Sequence, residues 1–161
     1  MTDSANDLNW LRRSFEIAAQ ARTCGNHPFG ALLVGPKGAL LLEAENSVVT
    51  SGDITGHAEI NLVREAYRTY DSGVLSSCTL YASTEPCPMC AGASFWSGIG
   101  RVVYGVSEGG LYHLVGDGSA EVLQLSCRKV LSRGKRPVEV IGPLLEEEGL
   151  LVHAGFWDGN Q

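Results

Sequence analysis

Two short clusters combine residue types that hold a metal and move protons: His57-Ala58-Glu59 and Pro86-Cys87-Pro88-Met89-Cys90. One imidazole and two thiolates form a soft ligand set that suits Zn²⁺. Three protein ligands leave the fourth tetrahedral position open to water, as in catalytic zinc sites. Glu59 follows the histidine by two residues, so its carboxylate can reach that water as a general base. The pattern therefore predicts zinc-assisted hydrolysis, with Glu59 as the catalytic residue and His57, Cys87 and Cys90 as the metal ligands.

The prolines around Cys87 distinguish this cluster from an ordinary pair of cysteines. A lone Cys-x-x-Cys is typical of structural zinc, a redox dithiol or two buried apolar side chains. Here Pro86 and Pro88 restrict the backbone on both sides of Cys87, and a helix is predicted over residues 91–96. The thiols then lie at a helix N-terminus, where the dipole favours thiolate. A structural zinc site usually takes four protein ligands, and the remaining cysteines and histidines show no paired spacing. A catalytic site is therefore favoured.

Composition predicts one globular domain over residues 1–161, because 44% of the residues are hydrophobic and the mean hydropathy is +0.02. Residues 1–9 lack the basic and apolar pattern of a leader, and no apolar run approaches the ~18 residues of a membrane span. Two of the five cysteines belong to the predicted zinc site, and the odd number of cysteines that remain argues against a disulfide framework. We therefore expect a cytoplasmic protein with no membrane segment.

Charge argues against a nucleic-acid partner. The formal net charge is −6 and the sequence pI is about 5.1, which suits a chain poorly to gripping phosphate backbones. A local basic patch would combine Arg128, Lys129, Arg133, Lys135 and Arg136, but a solvated helix end followed by a turn is the favoured interpretation of these residues. We expect a small-molecule substrate.

Hydrophobic periodicity predicts alternating helices and strands. The predicted order is helix 8–23, a hairpin of strands 29–35 and 39–44, helix 58–70, strand 79–84, helix 91–96 and strand 101–106. The last third predicts a glycine-rich loop over 105–118, helix 120–131, strand 138–141 and a closing helix from residue 143. Helical crossovers demand parallel strands, whereas the hairpin is antiparallel. The expected fold is α/β, a three-layer α/β/α sandwich with a central mixed five-stranded sheet.

Four segments carry a resemblance to a known family: PFGALLV at 28–34, Asn46, DITGHAE at 53–59 and TEPCPMCAGA at 84–93. With them the chain resembles the cytidine deaminase-like superfamily, in the branch of nucleobase and tRNA-adenosine deaminases that also contains guanine deaminases. The resemblance covers roughly residues 8–106 and thins afterwards. It implies that Asn46 hydrogen-bonds the base ring, that the backbone around Ala58 anchors a substrate carbonyl, and that the chain forms a homodimer.

The resemblance also implies further substrate contacts. Phe29 and Trp96 match aromatic positions that line the base pocket of guanine deaminase relatives, although aromatic residues more often pack in a core. Glu108 or Asp117 would match the acidic residue that guanine deaminases add after the fourth strand, and an acidic residue on a surface loop is the alternative. Asn46 has an alternative role in an Asx turn. The closing segment 154–157 would cap the pocket of its own chain or of a partner, or pack at an interface.

The expected function is zinc-dependent hydrolytic deamination of a free nucleobase or related aminated heterocycle, of guanine, cytosine or s-triazine type, with release of ammonia. Two alternatives keep the same chemistry: a tRNA-specific adenosine deaminase and a nucleoside deaminase that acts on guanosine or cytidine. A third is a non-catalytic module stabilised by zinc. The carboxylate of Glu59 beside an open coordination position argues against that third interpretation.

Overall fold

The computed structural model describes residues 4–116 and 122–159. The strands are β1 (Gly30–Val34), β2 (Leu40–Glu45), β3 (Thr79–Thr84), β4 (Arg101–Val106) and β5 (Glu139–Ile141). The helices are α1 (Ser4–Thr23), α2 (Val48–Ser51), α3 (Ala58–Thr69), α4 (Ser72–Leu75), α5 (Pro88–Ser97), α6 (Glu108–Val115), α7 (Cys127–Leu131) and α8 (Glu146–Leu150). Two short 3₁₀ turns, Leu151–His153 and Trp157–Gly159, follow α8.

The five strands form one mixed sheet in the order β2-β1-β3-β4-β5. Strand β1 is antiparallel to both β2 and β3, while β3, β4 and β5 are mutually parallel neighbours. This confirms the predicted α/β fold with a mixed five-stranded sheet. The parallel strands end at the same edge of the sheet, and that edge is where α/β folds usually place their ligands.

Side chains alternate between the two faces of the sheet, so the inner strands β1, β3 and β4 serve two hydrophobic clusters. On one face, Leu80 and Ala82 of β3 pack in a cluster with residues of α3, α5 and α7. On the other face, Tyr81 of β3 packs in a cluster with Leu11 and Phe15 of α1. Helices therefore cover both faces of the sheet, as the three-layer prediction requires.

Gly30 explains why α1 lies so close to β1. A Cβ atom built on Gly30 would stand 2.6 Å from the backbone nitrogen of Ala18 and 2.6 Å from the carbonyl oxygen of Ser14. Any larger residue would push the helix off the strand. The glycine of the PFGALLV segment is thus required by packing between helix and sheet.

A buried ion pair ties α1 to the start of β4. Arg101 Nη2 lies 2.7 Å from Asp7 Oδ2, and the Tyr81 hydroxyl donates to Asp7 Oδ1 at 2.6 Å. Burial raises the pKa of the Asp7 carboxyl, but the hydrogen bonds from Arg101 and Tyr81 outweigh burial, and the pKa is lowered. This network lies at the edge of the sheet opposite the ends of the parallel strands.

The stretch after β4 differs from the sequence prediction. Residues 108–115 were expected in a glycine-rich loop, yet they form α6. The Ser107 side chain caps this helix by accepting the N–H of Gly110 at 3.0 Å. Gly110 lies close to α8, since a Cβ on it would stand 2.6 Å from Glu146 Oε1 and would displace that side chain. Periodicity gives no sign of this helix, since a cap and a close approach between distant segments create it.

The last two predicted helices are also shorter than expected. The helix predicted over 120–131 begins at Cys127, because the Ser126 side chain caps it by accepting the N–H of Lys129 at 3.2 Å. Residues 122–126 are not helical, and 117–121 lie outside the described residues. The closing helix begins at Glu146 and not at residue 143, since Leu145 has φ 54° and interrupts helical backbone just before it.

Among the described residues, no helix has the length and apolar character needed to cross a membrane.

Candidate active site

Two helix starts bring the candidate metal-binding side chains together. His57 stands at the N-cap of α3, with Glu59 in the first turn. Cys87 stands at the N-cap of α5, with Pro88 at the first helical positions and Cys90 one turn further on. Pro fits there because the first N–H groups of a helix have no intrahelical partner. The positive ends of both helix dipoles therefore point at the cluster and favour thiolate.

The three candidate ligand atoms form a nearly equilateral triangle. His57 Nδ1 lies 3.6 Å from Cys87 Sγ and 3.5 Å from Cys90 Sγ, and the two sulfurs are 3.6 Å apart. Tetrahedral zinc with bonds of 2.0–2.3 Å separates its nitrogen and sulfur ligands by about 3.6–3.8 Å. The donor set and its spacing therefore fit a zinc ion, and they leave one coordination direction free of these side chains.

The protonation of the cluster also suits a metal. Hydrogen bonds from the Cys90 thiol and from His57 lower the pKa of Cys87 to about 4, so Cys87 is a thiolate at neutral pH. The Cys87 interaction raises the pKa of Cys90, and burial adds to that effect. One thiolate is thus present before a cation arrives, and a bound cation would stabilise the second.

Glu59 lies beside the three candidate ligands but does not belong to their triangle. Its side chain is buried, with 6% exposure, and Oε2 lies 3.6 Å from Cys90 Sγ. Burial raises the pKa of this carboxyl to about 7. A carboxyl that titrates near neutral pH can accept and return protons with little bias, which general acid–base catalysis requires.

A pocket of about 680 Å³ opens in front of this cluster. His57, Glu59 and Cys87 contribute to its inner wall. Two further groups of residues form large parts of its lining. One is an aromatic side formed by His27, Phe29 and Trp157, and the other follows α6 with Glu108, Leu111, Tyr112 and Val115.

The aromatic side joins segments from both ends of the chain. Phe29, just before β1, lies with its ring centroid 6.3 Å from that of Trp157 and 5.4 Å from that of His153. His27 lies 5.9 Å from Trp157 by the same measure. The closing segment therefore lies over the pocket of its own chain, which is one of the placements left open for residues 154–157.

Glu85 connects the zinc-site helix to the α6 side of the pocket. Its Oε2 accepts the backbone N–H of Glu108 at 2.9 Å, and its Oε1 accepts the backbone N–H of Cys127 at 3.0 Å. Both N–H groups belong to helix starts, where intrahelical acceptors are missing. One carboxylate next to Pro86-Cys87 therefore holds the starts of α6 and α7.

Glu108 lines the pocket, on a helix and not on the predicted loop. Its Oε1 accepts the backbone N–H of Leu125 at 2.9 Å, and burial raises its pKa. Asp117, the alternative acidic candidate, lies outside the described residues.

Asn46 forms the Asx turn that was the alternative interpretation, but only its side-chain oxygen takes part in that turn. Oδ1 accepts the backbone N–H of Val48 at 3.1 Å, while Nδ2 is buried and has no partner among the described residues. The side chain is 1% exposed. Since the turn fixes which end of the amide bonds the backbone, the donor end stays available for another group.

Ala58 is fully buried in the core cluster under α3, so its methyl group faces the protein interior. The contact expected from the backbone around Ala58 stays a prediction. Trp96 was expected to line the pocket and does not within this chain, because it is 81% exposed on the outer side of α5 and contacts Phe95. Cys90, six residues earlier, is buried and projects about 120° away around the same helix.

Several lining residues escaped the sequence analysis, among them Thr84, Glu85, His27 and Tyr112. Thr84 and Glu85 directly precede Pro86, so their place at the end of a strand leading into the metal cluster was a usable signal. His27 precedes the PFGALLV segment by one residue. Tyr112 carried no usable signal, because the helix that presents it was not predicted.

The fold and the geometry of the site together are those of a zinc-dependent hydrolytic enzyme, because a candidate ligand set, a buried carboxyl beside it and an open pocket coincide. Comparison with known sequences is more specific. The family model of the cytidine and deoxycytidylate deaminase zinc-binding region matches residues 4–106. The chain belongs to this family and is a zinc-dependent hydrolytic deaminase.

Individual relatives differ in the substrates that their names state. A probable cytosine deaminase of Schizosaccharomyces pombe is 42% identical over 159 residues, which are 98% of this chain and 96% of the relative. The guanine deaminase of Bacillus subtilis is 40% identical over 100 residues, 62% of this chain and 64% of the relative. A solved structure from work on A-to-I editing by tRNA:A34 deaminases has a TM-score of 0.70 and 26% identity, and covers 90% of this chain and 99% of that one.

Proposed function

We propose that the chain deaminates a free nucleobase, with cytosine as the first candidate and guanine or an s-triazine as further candidates. The similarity to the probable cytosine deaminase carries this proposal, because it runs through nearly the full length of both chains. It therefore includes the last third, where α6 and Trp157 form two sides of the pocket. The similarity to guanine deaminase spans only 100 residues.

His57, Cys87 and Cys90 are the proposed zinc ligands, on the strength of their 3.5–3.6 Å triangle. These residues would hold a zinc ion, which would supply a nucleophile at neutral pH by lowering the pKa of water to about 7. The two helix N-termini add positive potential to the same point.

Glu59 is the proposed proton carrier in both halves of the reaction. It takes one proton from the attacking water and passes it to the ring nitrogen beside the reacting carbon, while the new carbon–oxygen bond forms. It then passes the second proton of that water to the exocyclic amino group. The carbon–nitrogen bond breaks, ammonia leaves, and the ring keeps a carbonyl. The near-neutral pKa of Glu59 suits both transfers.

The base is proposed to lie between Asn46 and the aromatic side of the pocket. The Asn46 Nδ2 group is a buried donor without a partner among the described residues, so a ring acceptor would satisfy it. Phe29 offers an apolar face to a planar ring. The backbone around Ala58 and the Glu108 carboxylate are proposed as further polar contacts, and Asp117 as an alternative acid.

Deamination of tRNA is the main competing proposal, supported by the likeness to the tRNA:A34 deaminase structure. The net charge of −6 argues against it. In addition, two arginines of the basic stretch at residues 128–136 already donate hydrogen bonds to backbone carbonyl groups of the protein. Arg128 donates to the carbonyl oxygen of Val140 at 2.7 Å, and Arg136 donates to those of Phe95 and Ile99 at 2.7 and 2.8 Å. Nucleoside deamination is a second alternative.

A homodimer is proposed through the outer side of α5. Met89 and Trp96, seven residues apart, share one side of this helix, and both are exposed. Gly92 lies between them and leaves space above the helix, since a Cβ on it would meet nothing within 4 Å. An exposed tryptophan and an exposed methionine on the same side of a helix are typical of a surface that is covered in an assembly. A second copy of this chain is the proposed occupant.

A cytoplasmic location is proposed from the thiols. The five cysteines are free, and Cys78 and Cys127 are buried as single thiols. Together with the thiolate cluster, this pattern suits a reducing compartment.

The deciding experiment measures ammonia release by the zinc-loaded protein. The panel contains cytosine, guanine, adenine, ammeline, their available nucleosides and a tRNA anticodon stem-loop, with Glu59→Ala as the blank. Turnover of a free base, with none on the stem-loop, is the expected result. Turnover on the stem-loop alone would establish the competing proposal. Zinc binding without ammonia from any compound would contradict the proposed function.

A further inference from the structure

Thr84, the last residue of β3, lies on the face of the sheet that is covered by α3 and α5, the helices with the candidate zinc ligands. Alternate residues of a strand share a face, and Leu80 and Ala82 pack in the cluster with α3 and α5. Thr84 continues that series. Ser83, on the other face, accepts the backbone N–H of Gly30 under α1. Thr84 also lines the pocket together with Glu59 and Cys87.

The hydroxyl of Thr84 is buried and unsatisfied. The residue is 4% exposed, and Oγ1 has no hydrogen-bond partner among the described residues. Leaving a buried hydroxyl without a partner is unfavourable, so threonine here is worse for folding than valine of the same shape. Other hydroxyls in this part of the fold are paired, since Ser94 donates to the carbonyl oxygen of Cys90 at 2.8 Å. Packing alone therefore does not account for the hydroxyl of Thr84.

We propose that Thr84 is a specificity-determining residue whose hydroxyl hydrogen-bonds an in-plane polar atom, a ring nitrogen or a carbonyl oxygen, of the heterocycle that is deaminated. The inference rests on the proposed function. It adds Thr84 Oγ1, on the lining of the pocket, to Asn46 Nδ2 as a second buried polar atom without a partner among the described residues. A planar base with polar atoms on two edges would satisfy both, whereas an apolar ring would leave both unpaired.

Thr84→Val tests the inference because it removes the hydroxyl and keeps the shape. The kcat/KM for the best base of the panel is expected to fall about 2- to 12-fold, which is the range for one neutral hydrogen bond, mainly through KM. The urea midpoint of unfolding is expected to stay at the wild-type value or to rise. Thr84→Ser keeps the hydroxyl and should restore kcat/KM to near wild type. A purely structural role for the hydroxyl would lower the urea midpoint instead.

Thr79→Val is the matched control. Thr79 begins the same strand, lies on its other face, and is buried away from the pocket. Unchanged kinetics in Thr79→Val with reduced kcat/KM in Thr84→Val would support the inference. Wild-type kinetics in Thr84→Val, or a lower urea midpoint in that variant, would overturn it. A wild-type protein that releases no ammonia from any base would contradict the proposed function itself, and the inference with it.

Discussion

The indole N–H of Trp157 donates a hydrogen bond to Nδ1 of His153 at 3.3 Å, and the two rings are nearly parallel, with 15° between their planes. Arg22 holds the same segment from α1 by donating to the carbonyl oxygens of Val152 and Ala154 at 2.9 and 2.8 Å. Trp157 is therefore held over the pocket by groups that do not themselves line it. This arrangement explains how a tryptophan near the end of the chain can form a defined side of a binding site.

Replacing Trp157 by alanine should weaken substrate binding. An aromatic face that stacks on a base contributes about 1–3 kcal/mol, so KM should rise about 5- to 150-fold. Trp157→Phe should recover most of this loss. Leu151→Ala, at an exposed position of the same segment, serves as the control and should leave KM unchanged. The measurement is steady-state ammonia release, and an unaltered KM in Trp157→Ala would show that the closing segment does not contact the base.

Acid should destabilise the protein through His153. This side chain is 2% exposed, and burial together with the Arg22 charge lowers its pKa to about 4. The neutral imidazole is favoured in the folded state, so its contribution is complete above pH 6.5 and is lost as pH falls toward 4. At 1.36 kcal/mol per pKa unit, the loss is about 3 kcal/mol.

Urea unfolding of wild type and His153→Gln, between pH 7.5 and 4, checks this prediction. The difference in unfolding free energy between the two proteins should shrink steadily with falling pH. Taking the difference removes the contributions of other titrating groups, such as Glu59. A difference that is constant over this range would exclude His153 as the source.

Glu59→Gln should abolish most of the activity while zinc remains bound. Removing a general acid–base group costs about 10²–10⁴ in rate, and Glu59 is proposed to act twice in each turnover. Zinc content, measured by atomic absorption, should match wild type, because the carboxylate is not one of the three proposed ligands. Glu65→Gln, exposed on the same helix, is the control. Loss of zinc in Glu59→Gln would assign the residue a different role.

Glu85→Ala should weaken substrate binding, measured as KM, more than it slows the chemical step, measured as kcat. Without this carboxylate, two helix-start N–H groups lose their acceptor, and the α6 side of the pocket is no longer held to the zinc-site helix. We expect KM to rise about tenfold with a smaller change in kcat, since one to two hydrogen bonds are lost. Glu85→Gln keeps one acceptor and should lie between Glu85→Ala and wild type. A fall in kcat alone, with KM unchanged, would contradict this positioning role.

Trp96→Lys should convert a dimer into a monomer without disturbing the fold. The indole is exposed, so its loss leaves no cavity within the chain, while a lysine ammonium would oppose burial in an interface. Light scattering coupled to size-exclusion chromatography measures the mass directly. Tyr67→Lys, at another exposed aromatic position, serves as the control. A wild-type protein that is monomeric at high concentration would disprove the proposed assembly.

Local patterns were sufficient for much of the site. His57 and Glu59 are two residues apart, Cys87 and Cys90 are three apart, and each pair opens a helix, so chain geometry alone predicts that the members of a pair lie together. Strands β3 and β4 were predicted with the bounds that the structure has, because they are short apolar runs buried on both faces. The mixed sheet followed from a short hairpin and from helical crossovers, which restrict strand direction.

Tertiary structure decided the rest, because contacts between distant segments leave no periodic signal. It brought His57 to 3.6 Å from Cys87 across thirty residues, and it placed Trp157 beside Phe29. It turned Trp96 away from the pocket, since α5 buries Cys90 on one side and exposes the other. The burial of the Thr84 hydroxyl without a partner is likewise a property of the packed fold, because satisfaction of a polar group depends on every neighbour that folding brings to it.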